Sequence, residues 1–519
     1  MLLCVLGVLF ALVLSPGCGG ASSKSSSAGS PSPSWGGEVR ITIESPISLD
    51  PVLAGPDPED LITRQIYEGL TEINSKLEAV PRLASRWQNS TDDRTWTFYL
   101  RKGVQFSNGV PFTAKDVLYT FKRLMDPKLG GTTVDVYSDV ASITAPDDYT
   151  VVFHLKYANP ELPKDIGDYH SGIVSSTDTD PAKQTLGTGP FFLKAYSREN
   201  RMVLERNPHY WMKDPATGRA LPYLDRLVLV FSPDPQAHVE ALRGGSADWV
   251  INIPSAMAND FKNDPKFTLI SGVSNNHYLL HIRSDKGHPG SDVRVIKAIK
   301  LGTDLPSIVA SVRQGYADVG NTTEVGPIYG DYYLNKPPVY DPAQAKKLLA
   351  EAGYPNGFTL KLYVEQYSCI PQIATVWQQQ MKKIGVNVQI QEEPEDVYYG
   401  SNTPNTWLVC DWGITDWATR PRPVAYFNIS LVTGSAWNES HWSDPEFDKV
   451  TAEINRELDQ SKRAELYKQA QQIIIDRGPV MVFFDERLII GMSSSLRGFQ
   501  TSIPEVATSF RSVYWAKTP

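Results

Sequence analysis

The sequence predicts an α/β protein built on mixed sheets, and three observations carry that prediction. Segments with period-two alternation read as half-buried strands; 149–156 places Val151, Phe153 and Leu155 on one side. Capped helical segments alternate with such strands along the chain. One helical segment, 371–385, runs straight into an apolar run at 386–391, the helix-to-strand step of a mixed sheet.

The first element lies outside that fold. Leu2 to Leu14 is an apolar run of signal-peptide length, too short for a stable membrane span. Cys18 follows in Leu14-Ser15-Pro16-Gly17-Cys18, which resembles a bacterial lipobox, where the cysteine is acylated and becomes the new N-terminus. Ser15 stands where such boxes usually carry Leu, and no Lys or Arg precedes the apolar run. A leader (1–18) cleaved without lipid is the alternative. Gly19 to Ser34 is nearly all Gly, Ser, Ala and Pro. Such a stretch cannot bury apolar surface and is expected to act as a flexible tether. Leader and tether together predict display outside the cytoplasmic membrane, lipid-anchored through Cys18.

The body follows. Thr113 and Asp116 form a capping box ahead of Val117, Leu118 and Phe121, and Asp126-Pro127 stops that helix. Leu227 to Phe231 is a continuous apolar run bounded by Asp225 and Pro233, as in a buried strand. Asp341 caps a helix with Pro342 at its first position and Gly353 at its end. Asp444-Pro445 repeats the device before Phe447 and Val450. No later stretch approaches the roughly 20 continuous apolar residues of a membrane helix.

Bulk properties agree with a large soluble body. At 519 residues, 41% hydrophobic and 21% charged, the chain exceeds what one hydrophobic core organises. Its net charge of -8 gives no basic face for nucleic acid. Beyond the leader only Cys369 and Cys410 remain. An oxidising compartment permits a bridge between them, and two buried free thiols are the alternative.

Several segments, taken in order, resemble the family 5 extracellular solute-binding proteins, the dipeptide-, oligopeptide- and nickel-binding group. They are Leu49-Asp50-Pro51, Ile66-Tyr67-Glu68-Gly69-Leu70, Pro81-Arg82-Leu83-Ala84, the stretch from Trp96 to Gly109 and its continuation Pro111 to Val117. Gly187 to Phe191, Asn207 to Trp211, Pro222 to Asp225 and Ala343 to Pro355 complete the set. Each is weak alone; their order over some 450 residues is specific. The resemblance implies a two-lobe, periplasmic-binding-protein-like type II fold with a hinge. It implies lobe I at 35–270 with an extra domain at about 49–185, lobe II at 271–484, and a return to lobe I at 485–519. Such proteins close around a small solute, most often a peptide, and deliver it to the permease and ATPase subunits of an ABC transporter. A monomer is expected, with no cofactor, no metal and no nucleic acid.

In peptide-binding relatives an acidic residue after a Trp-containing strand pairs with the peptide amine, and Asp416 is the match in Cys410 to Pro423. The resemblance places Trp412 and Trp417 beside it. A desolvated ammonium needs a carboxylate partner, so the role is chemically sound; a surface Asp capping a turn is the alternative. Where relatives often carry Asp-Pro, this chain has Arg422-Pro423 with Arg420 nearby, and two guanidinium groups suit a carboxylate or phosphate. Trp437 and Asn438 form a second candidate wall, with core packing as the competing reading. Asn276 and Tyr278, where lobe II begins, are expected to meet ligand, with His277 or Tyr278 packing inward as the alternative because alternate strand residues face opposite ways. Tyr367, in the loop before the Pro371 helix, is expected at the mouth by topology.

Other classes find little support. There is no Gly-x-Ser-x-Gly elbow, no His-Glu-x-x-His and no phosphate loop, so an enzyme is not expected. The 8 His are scattered, which disfavours a nickel or metal-chelate carrier. Opine or sugar binding, and a surface peptide receptor, remain alternatives within the same fold.

Overall fold

The computed structural model describes residues 33–55, 58–129, 136–400, 406–499 and 509–516. The leader, Cys18 and the tether up to residue 32 lie outside the described residues. No described helix is long and apolar enough to cross a membrane.

One mixed sheet of 11 strands runs through the molecule. Its order is Val386–Glu393, Phe358–Glu365, Trp412–Trp417, Phe267–Ile282, Val480–Ser493, Trp249–Val250, Glu38–Ile43, Arg226–Phe231, Arg201–Arg206 and Phe191–Ser197, with Ala317–Asp318 beside Val480–Ser493. Two long antiparallel strands, Phe267–Ile282 and Val480–Ser493, join its halves. At one end Ile490 and Met492 belong to an apolar core with Val39, Ile41, Leu229 and Trp249. At the other Leu280, Ile282, Met481 and Phe483 belong to a separate core around Trp377. Between them the pairing loses register from Val273 to His277, opposite Asp485–Arg487. A ladder interruption of this kind bends a strand and adds twist.

The local signals explain the elements. Ile370–Lys383 is a helix because Ile370, Ile373, Ala374, Trp377 and Met381 recur on one buried face, with Pro371 in its first turn. It connects Phe358–Glu365 to its parallel partner Val386–Glu393. Thr113 and Asp116 make the capping box of Ala114–Leu124. Asp341 accepts from Gln344 N at the start of Pro342–Glu351, and Asp444 from Glu446 and Phe447 N at the start of Pro445–Ile454. Thr150–Leu155 alternates as expected and lies in a separate four-stranded antiparallel sheet with its own core around Phe98, Phe121 and Phe153.

Four of the sequence motifs converge on one buried carboxylate. Glu68 is ion-paired with Arg82 and accepts from Tyr210 Oη at 3.1 Å, Trp211 Nε1 at 2.7 Å and Thr188 Oγ1 at 3.1 Å. A buried carboxylate persists only when its charge and lone pairs are met, so these segments act together as scaffold. Gly187 lies so near that a Cβ there would sit 2.0 Å from the Ile66 carbonyl oxygen, which explains the glycine. Cys369 and Cys410 are buried free thiols, so the bridge does not form.

Candidate functional site

Three strands run parallel on one side of the sheet: Phe358–Glu365, Val386–Glu393 and Trp412–Trp417. Their carboxyl ends point the same way, and in open α/β sheets that edge is where ligands bind. Asp416 stands there, exposed, and its Oδ1 accepts from Tyr399 Oη at 2.9 Å. Protein crowding around the carboxylate removes hydration and holds its pKa above the usual range, against the lowering pull of the Tyr399 hydroxyl.

The loop that follows is fixed by hydrogen bonds. Asn276 Oδ1 accepts from Thr419 N and Oγ1, both at 2.8 Å, and Thr419 Oγ1 accepts from Asn275 N. Tyr426 Oη accepts from Arg420 N at 3.0 Å, while Tyr329 Oη donates to Arg420 O at 2.7 Å. The Arg420 backbone is thereby pinned, yet its half-exposed guanidinium makes no ion pair among the described residues. A rigid mount with an unpaired cation suits recognition of an anionic group.

The other expected site residues divide sharply. Tyr367 is 54% exposed. Tyr278 is buried, with its hydroxyl 3.0 Å from Ser368 Oγ and 3.2 Å from Glu486 Oε1. Trp412 is buried in the core around Trp377, because its strand turns that face toward the covering helix. Trp417 is also buried, edge-on to Tyr426, with its ring 5.8 Å from Trp437. Trp437 is half-buried against the same cluster. Asn438 organises its own turn: it donates to the Val432 and Trp442 carbonyls and accepts from Ser440 Oγ and Trp442 N.

Arg422 is the largest departure from expectation. Its Nε donates to Asp165 Oδ1 at 2.7 Å, and Nη1 reaches Asn159 Oδ1 at 3.5 Å. Next to it Glu161 accepts from Lys164 Nζ at 2.8 Å and Tyr332 Oη at 3.3 Å, with Arg463 Nε at 3.8 Å. Arg422 is thus engaged in a buried network reaching segment 159–165, whereas Arg420 makes no ion pair among the described residues.

Sequence reasoning missed Glu365, which ends the strand beside Asp416 and is 4% exposed. Burial first, then the charges of Asp416 and Glu395, push its carboxyl up to about 8. Its position at the carboxyl end of a strand–helix–strand unit is the signal that would have found it. Glu486, paired with Arg313 at 3.1 Å, was missed as well.

Comparisons with known proteins agree with this architecture. The family model described as bacterial extracellular solute-binding proteins, family 5 Middle, matches residues 78–439. The chain is 26% identical to the glutathione-binding protein GsiB of Pectobacterium atrosepticum, covering 89% of this chain and 91% of that protein. It is 25% identical to di/tripeptide-binding protein 1 of Pseudomonas aeruginosa, covering 88% and 90%. Among solved structures, the ABC transporter-associated periplasmic binding protein DppA of Helicobacter pylori, in complex with the peptide STSA, superposes with a TM-score of 0.78. The identity is 26%, over 93% of this chain and 99% of that one.

Proposed function

Because the chain belongs to the family 5 bacterial extracellular solute-binding proteins, the substrate-binding components of ABC importers, we propose that it captures a short peptide between two lobes. In this reading lobe I comprises 35–270 and 485–519, with an extra domain at about 49–185, and lobe II comprises 271–484. The register break from Val273 to His277 serves as the hinge. Closure presents the loaded form to the permease, and no chemistry is done on the solute.

The observation that carries the peptide reading is the pairing of opposite charges on a strand end and the rigid loop that follows it. Asp416, held by Tyr399, receives the ammonium, and the unpaired Arg420 receives the carboxylate. Asn276 and Tyr367 line the mouth, and Trp437 offers a partly open ring. Trp412, Trp417, Tyr278 and Asn438 position this surface from behind. Relatives named for glutathione and for di- and tripeptides support a zwitterionic ligand of this size. The mature protein is a monomer tethered by an acylated Cys18.

Mass spectrometry of small molecules released from denatured native protein, followed by calorimetry with Ala-Ala and a tripeptide, tests the reading. A released peptide and saturable binding are expected. Ligand should stabilise the fold as RT ln(1 + [L]/Kd), about 2.7 kcal/mol at a hundredfold excess over Kd. Release of a non-peptide, with no binding of either probe, would overturn it.

A further inference from the structure

The rim around Asp416 carries more carboxyl groups than one ammonium requires. Glu365 is 4% exposed, and its carboxylate makes no hydrogen bond or ion pair among the described residues. Its register partner on the next strand is Glu393, whose Oε2 is buried and without a partner. Glu395 follows two residues on, and its charge acts on both Glu365 and Asp416. The nearby guanidinium of Arg313 is engaged with Glu486. A buried carboxylate without a counter-charge is costly, so such a group keeps its proton until a cation at this edge supplies the missing counter-charge.

The kind of cation follows from geometry and surroundings. No group of three or more acidic, His or Cys side chains among the described residues converges to hold a metal ion. The acids instead sit along the strand ends, Glu365 and Glu393 in register on adjacent strands and Glu395 two residues further on. Aromatic rings stand alongside: Tyr399 lies 4.9 Å from Tyr398 and 5.5 Å from Trp407, centroid to centroid. Tyr399 also donates to Asp416, so the acids stand in an aromatic setting, and carboxylates are the usual partners of ammonium and guanidinium groups.

We propose that the site takes a peptide bearing a second cationic group, an ammonium or guanidinium seated at Glu365 and Glu395 beyond the one at Asp416. This rests on the peptide-binding reading above. Before the ligand arrives, Glu365 holds a proton, raised to about 8 by burial and by Asp416 and Glu395; Glu393, Tyr398 and Tyr399 are its other titratable neighbours. Entry of the cation ionises Glu365, and the proton leaves to solvent.

Calorimetry at pH 7 with Ala-Ala, Lys-Ala and Arg-Ala, in two buffers of different ionisation enthalpy, tests this. Lys-Ala and Arg-Ala should bind about tenfold tighter than Ala-Ala and release a proton. Glu365→Gln should narrow that preference to less than about threefold, with Glu395→Gln as an exposed second variant. Equal affinities in the wild type, or a preference that persists in both variants, would overturn the proposal. If none of the three peptides binds, the peptide reading fails, and the molecule released from native protein decides this one. A compound with two cationic groups supports it, and a neutral or anionic one overturns it.

Discussion

Arg422 Nε lies 2.7 Å from Asp165 Oδ1, a contact between positions 257 residues apart. In the two-lobe reading it ties lobe II to the extra domain of lobe I. Removing one partner of a buried ion pair leaves the other charge uncompensated and costs about 3–5 kcal/mol. Arg422→Ala should therefore lower the thermal midpoint and weaken ligand binding together. The apolar double replacement Arg422→Met with Asp165→Leu should recover much of the stability. Calorimetric unfolding of both variants checks this, and an Arg422→Ala protein as stable as the wild type would remove the contact from the energetics.

Asp416→Asn should weaken a peptide with a free amine roughly thirtyfold or more, since truncating one partner of a desolvated charge pair costs about 2–5 kcal/mol. N-acetylation of the peptide should produce a similar loss in the wild type and little further loss in the variant. Arg420→Gln should act in the same way on the carboxylate, with C-terminal amidation as the matching ligand change. Titration calorimetry on the four combinations gives the coupling energies. Additive losses, with no coupling between Asp416 and the amine, would remove the acid from the contact.

Glu324 is fully buried; among the described residues its carboxylate accepts only from Ser430 Oγ, and burial pushes its pKa up to about 7. A carboxyl with a raised folded pKa binds its proton in the native state after the unfolded chain has lost it. Its contribution is therefore present below the unfolded pKa, near 4.5, and is lost as pH rises toward 7. Glu324→Gln stays neutral throughout, so the difference in unfolding free energy, variant minus wild type, should rise between pH 4.5 and 7. A rise of roughly 3 kcal/mol follows from that shift. Urea unfolding of both proteins at pH 5 and pH 8 measures it. A pH-independent difference would mean that Glu324 titrates normally.

Cys18→Ser should move the protein from the membrane fraction to the soluble extracytoplasmic fraction. Acyl chains hold a protein on a bilayer through about 0.8 kcal/mol per buried CH₂, and a serine carries none. Immunoblots of separated fractions check the outcome. A variant as membrane-bound as the wild type would rule out the anchor.

Several elements and their order along the chain are legible in the sequence. Capping boxes such as Thr113 with Asp116, the Asp341-Pro342 start and the stripe through Ile373, Trp377 and Met381 act within a few residues, so their energies are written locally. Motif order carried the family as well, although the reason that Glu68, Arg82, Thr188 and Tyr210 belong together appears only where they meet. Which of two neighbouring arginines finds an acidic partner among the described residues is settled only by the tertiary structure. Arg420 and Arg422 look alike in sequence, but only Arg422 reaches Asp165. It decided likewise that Trp412 faces the core, and that Glu365 stands beside Asp416 across a strand boundary. Charge partnership and burial depend on what the rest of the chain brings within a few ångströms, and no local pattern encodes that distance.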